Sequence, residues 1–123
     1  MDRRRGLGAW GEDLAEKHLR AAGYTILERN VRSRYGEIDI VARDHGCIVF
    51  VEVRTRQSRA FTPEESVTTT KRRRVAALGA RYMAERGLAD AEWRGDMIAV
   101  EQDVHGALIR LEHYVSAIEE PSE

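Results

Sequence analysis

Two acidic residues stand in neighbouring segments whose composition is typical of β-strands. Asp39 lies in the alternating polar and apolar run 37–43, and Glu52 lies in the β-branched run 47–53. If residues 45–46 form a two-residue hairpin loop, Asp39 and Glu52 face each other directly. Carboxylate oxygens are the ligands of hard divalent cations, so this pairing predicts a site for Mg²⁺ or Mn²⁺ and not for zinc.

The facing carboxylates would repel each other if nothing neutralised them. Directly opposite side chains have Cβ atoms about 5 Å apart, and at an effective dielectric of about 20 two unit charges at this separation repel by roughly 3 kcal/mol. A bound cation removes that penalty. The same register places Glu37 opposite Arg54, which leaves ordinary cross-strand ion pairing open. A metal-free structural protein, with the acids neutralised by Arg54 and Arg43, is a further alternative.

The hairpin register also assigns every side chain to one face of the sheet. One face is wholly apolar, which supports this register over a one-residue slip. That face is expected to carry Ile38, Ile40, Ala42, Val49, Val51 and Val53. The opposite face is expected to carry Asp39, Val41, Arg43, Ile48, Phe50, Glu52 and Arg54.

Five strands and two helices are predicted around these residues. The predicted elements are a helix at about 8–22, a strand from residue 24 to about 31, the two hairpin strands, a polar loop at 57–70 that has room for one helical turn, a helix at 71–86, and strands at 93–100 and 107–118. The order α-β-β-β-α-β-β predicts an α/β fold, a mixed central sheet flanked by helices. We expect one domain over residues 1–123, with residues 1–6 and 119–123 flexible.

Composition indicates the location of this domain and the kind of partner it is expected to have. No stretch approaches the roughly 20 apolar residues of a membrane span and no signal-type apolar core is present, so a cytoplasmic protein without a membrane partner is expected. The single cysteine, Cys47, cannot form an internal disulfide and is interpreted as core. The net charge is only −1, but residues 1–84 hold 17 basic and 11 acidic side chains. This part of the chain could face a phosphate backbone.

Basic residues cluster at two places near the acidic pair. Lys71, Arg72, Arg73 and Arg74 put four positive charges on one helical turn. Arg32, Arg34, Arg56 and Arg59 flank the hairpin. Both groups are candidates for phosphate contacts in a nucleic-acid-binding surface, and a simple solvated face is the alternative for each.

An ordered series of short motifs resembles a known family. The series comprises Gly11-Glu12, Gly23-Tyr24, Arg29-Asn30, Gly36-Glu37-Ile38-Asp39-Ile40-Val41, Phe50-Val51-Glu52-Val53-Arg54-Thr55-Arg56, Lys71, and Arg94 to Asp96. It resembles the YraN family of uncharacterised bacterial proteins, within the PD-(D/E)XK nuclease-like superfamily, over roughly residues 6–118. It is also similar to the archaeal Holliday junction resolvases. The resemblance implies a restriction endonuclease-like fold.

The resemblance also implies roles for individual residues. Asp39, Glu52 and the main-chain carbonyl of Val53 would hold the metal, and Glu12 would complete the shell or position the attacking water. The superfamily lysine is Arg54 here, and Ile38 replaces the proline before the aspartate. Arginine does not readily deprotonate at neutral pH, so Arg54 could orient a phosphate or stabilise charge but is a poor proton acceptor.

Two functions follow from these implications. The first is a Mg²⁺- or Mn²⁺-dependent nuclease that hydrolyses phosphodiesters in DNA or structured nucleic acid, with Glu12, Asp39, Glu52 and Arg54 as catalytic residues. The alternative is a non-catalytic nucleic-acid-binding or assembly module that keeps the nuclease fold. DNA is the expected partner, and the sequence leaves a homodimer open.

Overall fold

The predicted sheet forms, and the two acidic strands lie next to each other within it. A computed structural model describes residues 3–57 and 62–118. Its elements are α1 Arg3–Ala21, β1 Thr25–Ser33, β2 Gly36–Asp44, β3 Cys47–Arg56, a short 3-10 helix Glu64–Ser66, α2 Thr69–Glu85, β4 Trp93–Gln102 and β5 Leu108–Ile118. The order α-β-β-β-α-β-β is therefore confirmed. Arg59 and the segment 119–123 lie outside the described residues.

All five strands belong to one mixed sheet. They lie in the order β1-β2-β3-β4-β5, antiparallel except for the parallel pair β3 and β4. Parallel neighbours need a crossover connection, and α2 provides it. Helix α1 packs against the core on one face of the sheet, and α2 packs on the other. The predicted helix-flanked architecture is confirmed.

Local signals explain where the helices end. Helix α1 stops before Gly23, which adopts a positive φ of 94°, and the Tyr24 amide closes the end by donating to the Leu19 carbonyl at 2.9 Å. The helix begins at Arg3, five residues before its predicted start, because arginine favours helix beyond the apolar periodicity on which the prediction relied. Thr68 caps α2 by accepting from the Lys71 amide at 3.2 Å. No helix in the described ranges is long and apolar enough to cross a membrane.

The hairpin between β2 and β3 keeps the predicted register over its paired length. Asp44 pairs with Cys47 and Ile40 pairs with Val51, around a two-residue loop in which His45 takes a φ of 56°. The paired register stops at Ile40. There the Val53 amide donates to a carboxylate oxygen of Asp39 at 2.8 Å. The side chain of Asp39 thus accepts a hydrogen bond from the main chain at the point where the two strands separate.

This separation corrects one face assignment. Ile38 was predicted on the face of Ile40, but it packs on the opposite face with Val41, Phe50 and Leu78. Strict alternation holds only while the ladder is regular. The β2–β3 pairing ends before Asp39, and there residues 38 and 40 fall on different faces, so the Ile38 prediction was wrong. The remaining residues predicted on the apolar face do pack together against α1.

Candidate functional site

Asp39 and Glu52 lie together at this separation, largely shielded from water. Glu52 is only 9% exposed. Burial, followed by the charge of Glu52, raises the pKa of Asp39 to about 8. Burial also raises the pKa of Glu52, while Arg54 and a hydrogen bond with Asp39 act in the opposite direction. The carboxyls therefore form one interacting pair.

Glu12 is brought towards this pair by a close approach of α1 to β3. A Cβ atom on Gly11 would lie 1.9 Å from the Thr55 hydroxyl oxygen, so only glycine allows the contact. Glu12 lies 3.3 Å from a guanidinium nitrogen of Arg29. Burial nevertheless raises its pKa, and its charge contributes to the raised pKa of Asp39. Glu12 therefore faces the pair while it is bound to Arg29.

Arg54 contacts one member of the acidic pair. Its Nη1 lies 3.5 Å from a Glu52 carboxylate oxygen, and its Nη2 donates to the Ser66 carbonyl at 3.4 Å. Its Nε–H is buried with no hydrogen-bond partner in the described part of the chain. The predicted cross-strand pair between Glu37 and Arg54 is not formed. Glu37 instead lies 3.6 Å from Arg32 on β1, because β2 and β3 have already separated at this position.

Lys71 lies beside the acidic pair, and not only in a general phosphate-binding cluster on α2. Its Nζ donates at 3.0 Å to the Ser66 carbonyl, the same oxygen that Arg54 approaches. Burial and the charges of Arg54 and Arg56 lower the pKa of Lys71, and Glu52 opposes them. Local sequence pattern gives no signal for this arrangement, because it depends on the 3-10 turn between β3 and α2 lying against the sheet.

The other predicted basic residues are divided between two regions. Arg56 is half-buried near Lys71 and donates to the Thr55 carbonyl at 2.9 Å. Arg72, Arg73 and Arg74 are all exposed, and the side-chain stem of Arg74 lies near Gly36, which follows the turn between β1 and β2. Arg34 lies in that same turn. The helical cluster is therefore not one continuous surface.

The carboxylate pair has the donor chemistry of a magnesium or manganese site. A hydrated Mg²⁺ in a protein is often held by only one or two carboxylates, so Asp39 and Glu52 are the residues that could hold one. Within residues 3–57 and 62–118, no group of three or more His, Cys, Asp or Glu is arranged to hold a metal ion. Glu12 is thus a neighbour of the pair and not a third member of such a group. Val53 contacts Asp39 through its main-chain amide.

A second buried polar cluster was not anticipated. Asp96 is fully buried and accepts from the Ser116 amide at 2.9 Å. His113 Nε2 lies 2.7 Å from Asp96, and His18 Nε2 lies 3.1 Å from His113 Nδ1. Arg94 also donates to Asp96. His18 lies on α1 and His113 on β5, so the two histidines join the helix to the strands.

Fold and site together define a class of small α/β proteins in which a mixed sheet carries a buried carboxylate pair where two strands separate. The chain belongs to the uncharacterised protein family UPF0102, whose family model matches residues 11–100. This range includes Glu12, both carboxylates of the pair, Arg54 and Lys71.

Bacterial relatives support the family assignment over nearly the full chain. A UPF0102 protein of Symbiobacterium thermophilum is 47% identical over 105 residues, covering 85% of this chain and 89% of the relative. One from Roseiflexus castenholzii is 42% identical over 120 residues, covering 96% and 97%. One from Moorella thermoacetica is 52% identical over 101 residues, covering 81% and 84%.

Proposed function

We propose that this chain is a divalent-metal-dependent nuclease of the PD-(D/E)XK type that hydrolyses phosphodiester bonds in DNA or structured nucleic acid. The observation that carries the proposal is the buried contact between Asp39 and Glu52 beside two cationic side chains, Arg54 and Lys71. Burying two like charges is unfavourable unless a ligand offsets the repulsion. Mg²⁺ or Mn²⁺ would offset it through oxygen ligands alone.

Each residue of the site has a separate task in this proposal. Asp39 and Glu52 hold the cation, whose chemistry would be to activate water and neutralise charge on the phosphate. Glu12, with its raised pKa, orients the attacking water and is a better proton acceptor than an ordinary carboxylate. Arg54 and Lys71 bind the phosphate oxygens as negative charge develops on them. Lys71 thereby supplies the ammonium group that the strand position of Arg54 lacks.

The test is cleavage of branched, single-stranded and duplex DNA and RNA in Mn²⁺. The wild-type chain should cleave at least one of these substrates, and Glu52→Ala should not. Glu52→Gln keeps the side-chain volume but removes a charged ligand, so it should also be inactive while folding normally. Asp90→Ala, at an exposed acid after α2, is the matched control and should cleave like the wild type. Equal activity in Glu52→Gln and the wild type would overturn the proposal.

A non-catalytic nucleic-acid-binding or assembly module is the second candidate, and the observation that favours it is Arg54. Its guanidinium cannot exchange a proton at neutral pH as a lysine can. Cleavage that appears only in Arg54→Lys would identify the natural chain as a binder. Cleavage already present with Arg54 would favour the enzyme.

A metal-free structural role is the third alternative, because Arg54 already lies 3.5 Å from Glu52. Calorimetric titration with Mn²⁺ separates this role from the others. Heat that is present in the wild type and absent in Asp39→Ala would exclude it.

A protein acting on cellular DNA works in the cytoplasm, which is the compartment we propose.

A further inference from the structure

An exposed aromatic ring lies against Arg81 of α2, the helix whose first turn carries Lys71. Tyr35, in the turn between β1 and β2, is 49% exposed. The guanidinium carbon of Arg81 lies 4.3 Å from its ring centroid, and that of Arg34 lies 5.0 Å away. An aromatic ring flanked by guanidinium groups can stack on a nucleobase, and the guanidiniums can also attract phosphate.

The turn that carries this ring is held in a defined conformation. The Ser33 hydroxyl accepts from the Tyr35 amide at 3.1 Å and donates to the Gly36 carbonyl at 3.3 Å. Arg81 is held from the other side, because its Nε donates to Glu85 at 2.8 Å. The ring and the guanidinium are therefore positioned before any ligand arrives, which lowers the entropy lost on binding.

A groove beside the ring has the polarity that suits a base. Its lining combines apolar side chains with three arginines and one carboxylate: Val31, Ile38, Leu78, Arg32, Arg81, Arg86 and Glu85. A nucleobase has apolar faces, hydrogen-bonding edges and an attached phosphate. Its faces match the apolar lining residues of the groove, and its phosphate matches the arginines. A base in a duplex has its faces covered by its neighbours and could not enter.

Helix α2 connects this place to the acidic pair. Lys71, Arg74 and Arg81 are separated by three and seven residues, a spacing that puts them on one helix face, and they span about 15 Å at 1.5 Å per residue. Lys71 lies beside the acidic pair, and Arg74 packs near Gly36 next to the ring. Tyr35 is four residues from Asp39, or roughly 13 Å along an extended strand. These lengths correspond to a few nucleotides.

We propose that Tyr35 and Arg81 form a docking site for an unpaired base of a nucleic acid strand whose phosphates follow Arg74 and Lys71 to the acidic pair. The inference rests on the proposed function in assuming that the pair handles nucleic acid, and it names the substrate class. The preferred substrates contain unpaired nucleotides next to the bond at the acidic pair, as in single strands and branched structures.

The test is binding of labelled single-stranded and blunt duplex oligonucleotides, measured by fluorescence anisotropy in EDTA. Tyr35→Ala should weaken single-strand binding by about five-fold or more and leave duplex binding nearly unchanged. Tyr35→Phe keeps the ring and should bind like the wild type. Ile109→Ala, which truncates a 61% exposed side chain on β5, is the matched control. Single-stranded DNA and RNA of one sequence show which of the two the site prefers.

A fluorescent base analogue in the strand reports stacking directly, since its emission should be quenched by the wild type and by Tyr35→Phe but not by Tyr35→Ala. The inference is overturned if Tyr35→Ala binds single strands like the wild type, or if it weakens single-strand and duplex binding equally. Because these measurements contain no divalent cation, they are independent of cleavage. Tyr35-dependent binding without Mn²⁺-dependent cleavage would support the docking site and contradict the nuclease, whereas cleavage without Tyr35-dependent binding would do the reverse.

Discussion

The carboxyls of Asp39 and Glu52 are held together by the backbone, and in the described part of the chain no side-chain cation contacts both of them. Arg54 contacts only Glu52, and Asp39 is bound by the Val53 amide. A neutral, protonated Asp39 relieves the repulsion, which is why burial and Glu52 raise its pKa to about 8. The metal-free pair at neutral pH therefore retains a proton that the unfolded chain has lost.

This retained proton gives the stability of the metal-free protein a defined pH dependence. A group whose pKa is raised by folding stabilises the native state at low pH, and that contribution is lost as the pH rises from 3.8 through about 8. Asp39→Asn removes the titrating group, so at pH 9 in EDTA it should be more stable than the wild type by about 1 kcal/mol or more. Urea unfolding at pH 5 and pH 9 measures the difference.

Asp90→Asn is the control for this comparison, since Asp90 is an exposed acid after α2. It should follow the wild type at both pH values. A variant Asp39→Asn that is no more stable than the wild type at pH 9 would contradict the buried, repelling pair.

Lys71 is expected to contribute to cleavage in a way that its exposed neighbour does not. Its ammonium group shares the Ser66 carbonyl with Arg54 beside Glu52, whereas Arg72 is exposed. Removing one positioned donor to developing negative charge typically lowers kcat by about 10²–10³. Lys71→Ala should show a loss of this size in single-turnover cleavage, and Arg72→Ala a loss of less than about two-fold. Equal losses in both variants would indicate only a general electrostatic effect.

At the scale of secondary structure, the distance between α1 and β3 depends on one glycine. A Cβ on Gly11 would meet the side chain of Thr55 at 1.9 Å, while nothing lies within 4 Å of a Cβ on Gly8. Gly11→Ala should therefore lower the free energy of unfolding by about 1–3 kcal/mol and displace Glu12. Gly8→Ala should be neutral or stabilise by about 1 kcal/mol through helix propensity.

Thermal and urea unfolding of these two variants check the prediction, and the double variant Gly11→Ala, Thr55→Ala tests its cause. Removing the Thr55 hydroxyl and methyl groups relieves most of the contact, so the double variant should recover part of the lost stability. No recovery would mean that the strain at Gly11 has another origin.

The elements could be predicted because each depends on local pattern. Gly23 and Gly87 stop the helices, and the alternation in β2 and β3 sets the hairpin register. What the sequence could not supply depends on contacts between distant segments. The Asp39 side chain accepts from the Val53 amide where the β2–β3 pairing ends, and Ile38 lies on the other face. The 3-10 turn binds Lys71 through the Ser66 carbonyl that Arg54 also approaches.

Within the candidate site, the carboxylate pair was predictable and its cationic surroundings were only partly so. The hairpin pattern predicts that Asp39 and Glu52 lie close together, but the strands separate after the pair Ile40 and Val51, so the predicted direct pairing of the two acids is not formed. The position of Lys71 depends on a loop whose path has no periodic signal. Arg34 and Arg74 were grouped by charge alone, and charge does not reveal that both lie beside Tyr35.

At the scale of the whole molecule, a chain of side chains from α1 to β4 links the first helix to the last strands. His18 on α1 contacts His113 on β5, which contacts the buried Asp96 on β4. Burial would raise the pKa of Asp96, but hydrogen bonds from His113 and Ser116 lower it. Asp96 thus remains a charged anchor for His113, which in turn contacts His18. The covering helix and the edge strand β5 are expected to unfold together.

This link should weaken in mild acid. Burial and the charge of His113 lower the pKa of His18 below 6.5, so the native state binds fewer protons than the unfolded chain, and stability falls as the pH decreases below 6.5. His18→Gln can still donate to His113 but does not titrate. Between pH 7 and pH 5 it should lose less stability than the wild type in urea unfolding.

His105→Gln, on the exposed turn between β4 and β5, is the control and should lose as much stability as the wild type over this range. Hydrogen exchange adds a spatial readout, because acid should release amides of α1 and β5 together. Independent release of these two elements would show that the histidine pair does not couple them.

Because Asp39 and Glu52 share a proton, binding of a divalent cation at the proposed site would displace that proton. Metal binding at neutral pH would therefore release protons into the solvent, and the apparent affinity for the cation would increase with pH. The heat of loading would then vary with the ionisation enthalpy of the buffer. Intracellular pH would then control the metal occupancy of the site without any chemical modification of the protein.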